Sequence, residues 1–274
     1  MPASDARLLF DFLRKGQSYR YGANRSQRAE LHLPRGAGPH PVMVVIHGGS
    51  WQARYGKVVM RGVIGDLVRR GWAAWNIEYR RVGNGGGWPA TFADVAAAID
   101  HLATIDAPID LGRCSVLGHS AGGHLALWAA SRCSLPDGAP GHISVAPAVP
   151  LRRAIVQAGV CDLAGAYARW HGGAARALMG GGPEQVPERY AAGDPIALVP
   201  PDVPVLLVHG VVDELVSIEL ARSYAAAAAD AGAEVELVEI AGRAGRHRAH
   251  IDPRGAAWGA VVARLGELAP TAGL

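Results

Sequence analysis

Short apolar runs alternate with longer segments of helical spacing along most of this chain. Residues 42–46 are all apolar and mostly β-branched, which is typical of a strand covered on both faces. Residues 28–33 instead alternate polar and apolar positions, as a half-buried strand does. The pattern predicts strands at 28–33, 42–46, 73–77, 113–117, 154–158, 205–208 and 234–240, and helices at 58–70, 90–103, 121–133, 217–231 and 253–268.

Strands that alternate with helices of this length predict an α/β fold, in which a doubly wound and mainly parallel sheet is flanked by helices. Such a sheet carries its functional site in the loops beyond the carboxyl ends of its strands. The sequence shows no internal repeat and no domain boundary, so residues 1–274 are predicted to form a single domain. Residues 163–202 are rich in glycine and proline and are predicted to be the least regular part, either a lid over the site or a long surface connection.

Composition and charge limit the classes of protein to be considered. Half of the 274 residues are hydrophobic, which is enough for a sizeable core, and the net charge of +3 is too small to indicate binding of nucleic acid. Arg243, Arg246 and Arg248 form the only local basic cluster in the sequence. This cluster suits either a solvated loop or a site that favours anionic substrates.

The amino terminus and the cysteines bear on the location of the protein. Residues 1–16 carry charges among their apolar residues and lack the apolar core of a signal peptide, and no stretch reaches the roughly 18 apolar residues of a membrane helix. We therefore expect a cytoplasmic protein without a membrane partner. Cys114, Cys133 and Cys161 show no disulfide or zinc spacing, so we expect each of them to be a small buried residue.

The segment Gly118-His119-Ser120-Ala121-Gly122 matches the pattern G-x-S-x-G between a predicted strand and a predicted helix. In that context the serine lies on a strained turn that projects its hydroxyl beyond the sheet. The two glycines are needed because a side chain at either position would collide within so tight a turn. Ser120 is therefore the predicted nucleophile, and the amide of Ala121 at the helix start is a predicted donor to an oxyanion.

A second glycine motif, His47-Gly48-Gly49-Ser50-Trp51, follows the predicted strand 42–46. Paired glycines at a strand end allow backbone amides to converge on one point, so Gly48 and Gly49 are predicted to complete the oxyanion hole. His47 is expected to orient this loop. Trp51 is either a wall of the substrate pocket or a core aromatic that holds the loop, and the second interpretation is slightly favoured.

A serine hydroxyl needs a histidine to accept its proton and a carboxylate to orient that histidine. In this fold the expected chain order is serine, then acid, then histidine. Asp213, after the predicted strand 205–208, is the favoured acid, and Asp162 is the alternative. His247 and His250 both lie in the last loop, where Asp252 and Pro253 are predicted to begin the final helix, and spacing alone only mildly favours His247.

These motifs resemble those of the esterase and kynurenine-formamidase-like branch of the α/β-hydrolases. The resemblance covers the loop at 47–51, the serine motif at 118–124, an H-G-x-x-D turn at 209–213 and the segment 247–253. Alignment on Ile251-Asp252-Pro253 implies that His247 is the base. Arg248 and Ala249 depart from the aromatic and acidic residues that this branch often has after the base.

Together the residues and the resemblance predict a serine hydrolase that cleaves a small carboxylic ester through an acyl-enzyme. An arylformamidase acting on a formyl amide such as N-formylkynurenine is an alternative, and a non-catalytic binding protein on the same scaffold is another. Trp51 and His119 are the predicted residues of the substrate pocket. The expected partner is a small ester or amide, without a metal or organic cofactor and without nucleic acid, and a homodimer is left open.

Overall fold

Eight strands form one sheet in the computed structural model, which describes residues 16–265. The order of the strands across the sheet is β1-β2-β4-β3-β5-β6-β7-β8. The strands are β1 (Gln17–Arg20), β2 (Arg28–His32), β3 (His40–Ile46), β4 (Ala73–Ile77), β5 (Ile109–His119), β6 (Leu151–Gln157), β7 (Val205–Gly210) and β8 (Val235–Ile240).

Most of the sheet is parallel. Strands β3 to β8 pair in parallel, whereas β1 and β2 are antiparallel to their neighbours. In the centre, Val44 pairs with Trp75 of β4 on one side and with Val116 of β5 on the other. The predicted doubly wound, mainly parallel sheet is confirmed, and β1 is an edge strand that the sequence pattern did not indicate.

Helices cover both faces of the sheet, and this explains the unbroken apolar run of β3. Val42 and Val44 pack into one core cluster, and the alternate residues Met43 and Val45 pack into a second cluster. The helices are α1 (Arg61–Arg69), α2 (Ala90–Asp100), α3 (Ala121–Ala129), α4 (Leu163–Arg169), α5 (Gly173–Met179), α6 (Pro187–Gly193), α7 (Ile218–Asp230) and α8 (Ala256–Leu265). Helices α2, α3 and α7 contribute to the first cluster, and α1 and α8 contribute to the second.

The last helix begins later than predicted. Asp252 does not start it, because its side chain accepts the amide of Arg254 at 3.0 Å and its carbonyl accepts the amide of Gly255 at 2.9 Å. These bonds form a separate turn, so α8 begins only at Ala256. The predicted end of this helix, at 266–268, lies outside the described residues.

Residues 163–202 are more regular than predicted, since they contain α4, α5 and α6. Glycine and proline mark the ends and starts of these helices. Gly180 ends α5 in the left-handed conformation, with φ of 76°, and Pro187 occupies the first turn of α6. The buried carboxylate of Asp194 accepts the amides of Leu163 at 2.7 Å and Ala164 at 2.8 Å, which ties the end of α6 to the start of α4. Whether the segment acts as a lid stays a prediction.

Two further expectations concern the cysteines and the membrane. Cys114 and Cys161 are buried, as expected, but Cys133 is exposed, so the expectation was wrong for that residue. Cys133 lies beyond the end of α3, because this helix ends at Ala129 and does not continue to residue 133 as predicted. None of the helices described between 16 and 265 is both long enough and apolar enough to span a bilayer.

Candidate active site

Ser120 lies on the tight turn between β5 and α3. Its backbone has φ of 57° and ψ of −123°, a conformation that L-residues rarely adopt and that strained functional sites often retain. A Cβ at Gly118 would overlap the carbonyl oxygen of Gly122, and a Cβ at Gly122 would overlap that of Ile46. The amide of Ser120 donates to the carbonyl of Gln157 at 2.9 Å. The two glycines and the neighbouring strands thus hold the serine at the carboxyl edge of the sheet.

The structure pairs His247 with Asp213, although 34 residues separate them. Nδ1 of His247 lies 2.8 Å from Oδ2 of Asp213, and Oδ1 of Asp213 accepts the amides of Leu215 and Val216 at 2.9 Å each. Burial raises the pKa of Asp213, but the hydrogen bonds from His247 and the two amides outweigh it, so the net pKa lies below its ordinary value. A charged Asp213 only accepts hydrogen bonds, so Nδ1 of His247 carries a proton and Nε2 is left as the acceptor.

Asp162 and His250, the alternative candidates for the acid and the base, are not paired with each other or with Ser120 in the described part of the chain. Asp162 caps α4 by accepting the amide of Gly165 at 2.6 Å. His250 is fully buried, and neither of its ring nitrogens has a hydrogen-bond partner within residues 16–265. Burial, with the nearby His209, lowers the pKa of His250 to about 4. A neutral histidine enclosed in this way does not line either cavity beside Ser120.

His119, the residue before Ser120, contacts His247 directly. Its Nε2 donates to the backbone carbonyl of His247 at 3.0 Å, and the two rings lie 4.7 Å apart between centroids. Burial, with the nearby His247, lowers the pKa of His119 to about 3, so its ring is neutral. Because Nε2 carries the proton of this neutral ring, His119 acts as a fixed donor to the loop of His247.

The glycine loop after β3 lies against Ser120. A Cβ at Gly48 would lie 2.6 Å from the carbonyl oxygen of His119 and 2.9 Å from Cβ of Ser120. Gly49 has φ of 117°, which favours glycine, and packs against the ring of Tyr55. Within the described chain, the amides of Gly48, Gly49 and Ala121 donate no hydrogen bond to the protein. An oxyanion hole requires amides that are not already engaged in this way, so the prediction for these three residues stays open.

A buried polar cluster holds this loop from behind. Nδ1 of His47 donates to the carbonyl of Gly48 at 2.7 Å, and the ring stacks on Tyr79 with centroids 4.6 Å apart. The hydroxyl of Tyr79 donates to the carbonyl of His47 at 2.8 Å, and Glu78 forms an ion pair with Arg81. Sequence analysis missed Glu78, Tyr79 and Arg81, although a polar run directly after a buried strand could have indicated them.

Two cavities lie beside Ser120, and His247, Ser50 and Leu215 line both of them. The larger cavity has a volume of about 330 Å³, and the smaller one has about 220 Å³. The larger cavity is also lined by Gly48, Gly49, Tyr55, Val59, His119, Arg248 and Ile251. The smaller cavity is also lined by Trp51, Ala121, Val160, Trp170, Ala174 and Val216.

The two predicted pocket residues line different cavities. His119 lines the larger one, and Trp51 lines the smaller one. Trp51 is also buried to 1% exposure and packs edge-on against His124, so the two interpretations of this residue are compatible. Leu215, Tyr55 and Trp170 were not predicted, because no local pattern shows that loops so distant in the chain meet at one cavity.

The chain matches a known protein family and is similar to a curated esterase. The BD-FAE family model matches residues 30–227. Esterase LipQ of Mycobacterium tuberculosis is 29% identical over 201 residues, which are 70% of this chain and 47% of LipQ. The chain therefore spans about half the length of this curated relative.

Solved structures match over nearly the whole chain. A truncated carbohydrate esterase from gut microbiota has a TM-score of 0.76 and 20% identity, covering 93% of this chain and 96% of that one. Esterase B of Lactobacillus rhamnosis, in a structure inhibited with a tributyrin phosphonate, has a TM-score of 0.78 and 18% identity, covering 97% of this chain and 90% of that one. These likenesses confirm the predicted α/β-hydrolase fold.

Proposed function

Because this chain belongs to the BD-FAE family, a family of α/β-hydrolase-type esterase domains, we propose that it is a serine hydrolase that cleaves a small carboxylic ester. One observation carries the proposal. Ser120, on its strained turn, lines both cavities together with His247, whose Nδ1 is paired with Asp213. This pairing leaves Nε2 of His247 as the proton acceptor that a serine nucleophile requires.

The first half of the reaction forms the acyl-enzyme. Nε2 of His247 accepts the hydroxyl proton of Ser120 as Oγ attacks the ester carbonyl carbon, and the carbonyl oxygen becomes an oxyanion. The free amides of Gly48, Gly49 and Ala121 supply hydrogen bonds to it, each typically contributing a few kcal/mol. The protonated His247 then gives its proton to the departing alcohol oxygen as the carbon–oxygen bond breaks.

The second half repeats these steps with water. His247 accepts a proton from water, which attacks the acyl carbon, and the oxyanion forms again at the same amides. When the bond to Oγ breaks, His247 returns the proton to Ser120, and the carboxylic acid leaves. Asp213 stabilises the imidazolium in both halves, and the depressed pKa of Asp213 keeps this carboxylate charged.

The walls of the two cavities favour an ester over a formyl amide. The smaller cavity is lined mainly by apolar side chains such as Trp51, Val160 and Trp170, which suit the acyl chain. Its volume of about 220 Å³ would be left largely empty by a formyl group. The arylformamidase alternative therefore receives no specific support from this cavity, and the larger cavity is assigned to the leaving group.

A rate panel tests the proposal. We expect kcat/KM for 4-nitrophenyl esters to be highest with acyl chains of a few carbons, and to exceed the value for formyl anilides. Higher rates on formyl anilides would favour the arylformamidase. A fluorophosphonate probe should label the protein but not its Ser120→Ala variant. A folded protein that neither labels nor turns over would instead be a binding protein on this scaffold. The predicted cytoplasmic location and the homodimer stay predictions that this panel does not address.

A further inference from the structure

Arg248 gives the larger cavity a charge that the proposed reaction does not use. Within the described chain, it is the single lysine, arginine, aspartate or glutamate side chain on the wall of this cavity. It directly follows His247, and it is exposed to solvent. Within residues 16–265 it forms neither a salt bridge nor a side-chain hydrogen bond with a carboxylate. Its guanidinium is thus available to a ligand in the cavity.

The two nearby carboxylates do not line this cavity. Asp213 is engaged by His247 and by two backbone amides, and it does not line the cavity. Glu214 lies 3.4 Å from the amide of His247 and is also absent from the cavity wall. Tyr55 lines another wall, and the guanidinium carbon of Arg54, which does not itself line the cavity, lies 5.0 Å from the centroid of the Tyr55 ring.

The remaining walls suit an apolar group. Val59, Leu215 and Ile251 line the larger cavity beside Ser120, and Leu215 is 57% exposed, so this wall of the cavity is apolar and reaches solvent. A ring or short chain packed there would present a terminal anion to Arg248. A guanidinium matches a carboxylate well because it can donate two parallel hydrogen bonds to the two oxygens.

We propose that the preferred substrates are esters whose leaving group carries a carboxylate, and that Arg248 is the residue that selects them. This inference rests on the proposed esterase function, with the acyl group in the smaller cavity. Because Arg248 is exposed, solvent weakens the contact, and we expect a preference of about fivefold to tenfold, not several orders of magnitude. The preference should decrease as salt is added, since the charges are accessible to screening ions.

Two matched substrates measure the preference. The leaving group of 4-carboxyphenyl acetate is anionic, whereas that of 4-carbamoylphenyl acetate is neutral and similar in shape. The measured quantity is the ratio of their kcat/KM values, compared between variants so that the different intrinsic reactivities of the two esters cancel. We expect Arg248→Gln to lower this ratio about fivefold, Arg248→Glu to lower it further, and Arg248→Lys, which keeps the charge, to lie between Gln and the natural residue.

Arg243→Gln is the matched control, because Arg243 is an exposed residue of the same loop that does not line the cavity. We expect the ratio to stay unchanged in this variant. An equal decrease in Arg243→Gln would show diffuse charge attraction and would overturn the role of Arg248. A ratio that is unchanged in folded Arg248→Gln would also overturn it, while leaving the esterase proposal intact.

A second substrate pair separates the two sides of the ester. Monophenyl succinate carries its carboxylate on the acyl group, and phenyl butyrate is its neutral counterpart. If Arg248→Gln changes only the ratio of this pair, the leaving-group assignment is wrong. If the protein hydrolyses none of the four esters and Ser120 does not label with a fluorophosphonate, the proposed function fails, and this inference fails with it.

Discussion

Nε2 of His119 donates a hydrogen bond to the backbone carbonyl of His247 across 3.0 Å, so the residue before Ser120 holds the backbone of the proposed base. The side chain of His247 is held independently by Asp213, at 2.8 Å. Two contacts, one from the end of β5 and one from the loop after β7, therefore define the position of His247 relative to Ser120. Catalysis is sensitive to such positioning, because a displacement of about 1 Å can reduce a rate about a hundredfold.

Replacement of His119 should slow the reaction through His247. We expect His119→Ala to lower kcat by about tenfold or more with a smaller change in KM, because the base is less well positioned. His119→Gln should recover much of the loss, since Nε2 of glutamine can donate to the same carbonyl. Steady-state kinetics with an activated ester would measure both values. Equal losses in the two variants, at unchanged melting temperature, would contradict a positioning role for His119.

The two late histidines should differ sharply. His247→Ala is expected to lose at least about a thousandfold in kcat, as is Ser120→Ala, and the double variant should lose little more because the residues act as a unit. His250 lines neither cavity, so His250→Ala should retain kcat within about threefold while its free energy of unfolding decreases by about 2 kcal/mol. Active-site titration and urea denaturation would separate the two effects. Loss of turnover in correctly folded His250→Ala would overturn this assignment of the base.

Stability should decrease in mild acid because buried histidines must be protonated on unfolding. Burial lowers the pKa of His119 to about 3 and that of His250 to about 4, from an ordinary value of 6.5. Between those values the unfolded chain binds more protons than the folded one, so the free energy of unfolding increases with pH up to about 6.5 and decreases below it.

The variant His119→Gln isolates one of these groups. Between pH 7 and pH 5, the free energy of unfolding of His119→Gln should decrease by about 2 kcal/mol less than that of the natural protein. The reason is that the variant takes up one proton fewer on unfolding. Urea denaturation at the two pH values gives the difference. An identical loss in both proteins would show that His119 is not buried in its neutral form.

The serine turn should not tolerate a methyl group at Gly122. A Cβ there would overlap the carbonyl oxygen of Ile46 and lie 2.6 Å from that of His47. Since both obstacles are backbone atoms, we expect Gly122→Ala to lower the free energy of unfolding by more than about 4 kcal/mol, or to prevent soluble expression. Yield and chemical denaturation would show this.

Gly259 provides the control for that substitution. It lies in α8, and no atom is within 4 Å of a Cβ built on it. Gly259→Ala should therefore raise the free energy of unfolding by about 0.5–1 kcal/mol through helix propensity. If Gly122→Ala were as stable as Gly259→Ala, the close packing of the serine turn would be wrong.

Elements with local signals could be predicted from the sequence. Apolar runs and polar–apolar alternation together indicated seven of the eight strands, because a strand covered on both faces has few polar positions and a half-buried strand alternates them. The serine turn was also predictable, since glycine is required at 118 and 122 by contacts within a few residues of Ser120 and with the neighbouring strand. The helices of residues 163–202 were missed because glycine and proline mark helix ends as well as loops.

Which side chains meet depends on the packing of the whole fold. Spacing only mildly favoured His247 over His250 and the resemblance added to that preference, whereas the packed last loop places His247 against Asp213 and buries His250 beside His209. The hydrogen bond of His119 to His247, the two cavities and the presence of Arg248 on the wall of one of them likewise depend on segments from distant parts of the chain. Local sequence patterns encode the conformation of each segment, whereas the approach of these loops depends on how the whole core packs.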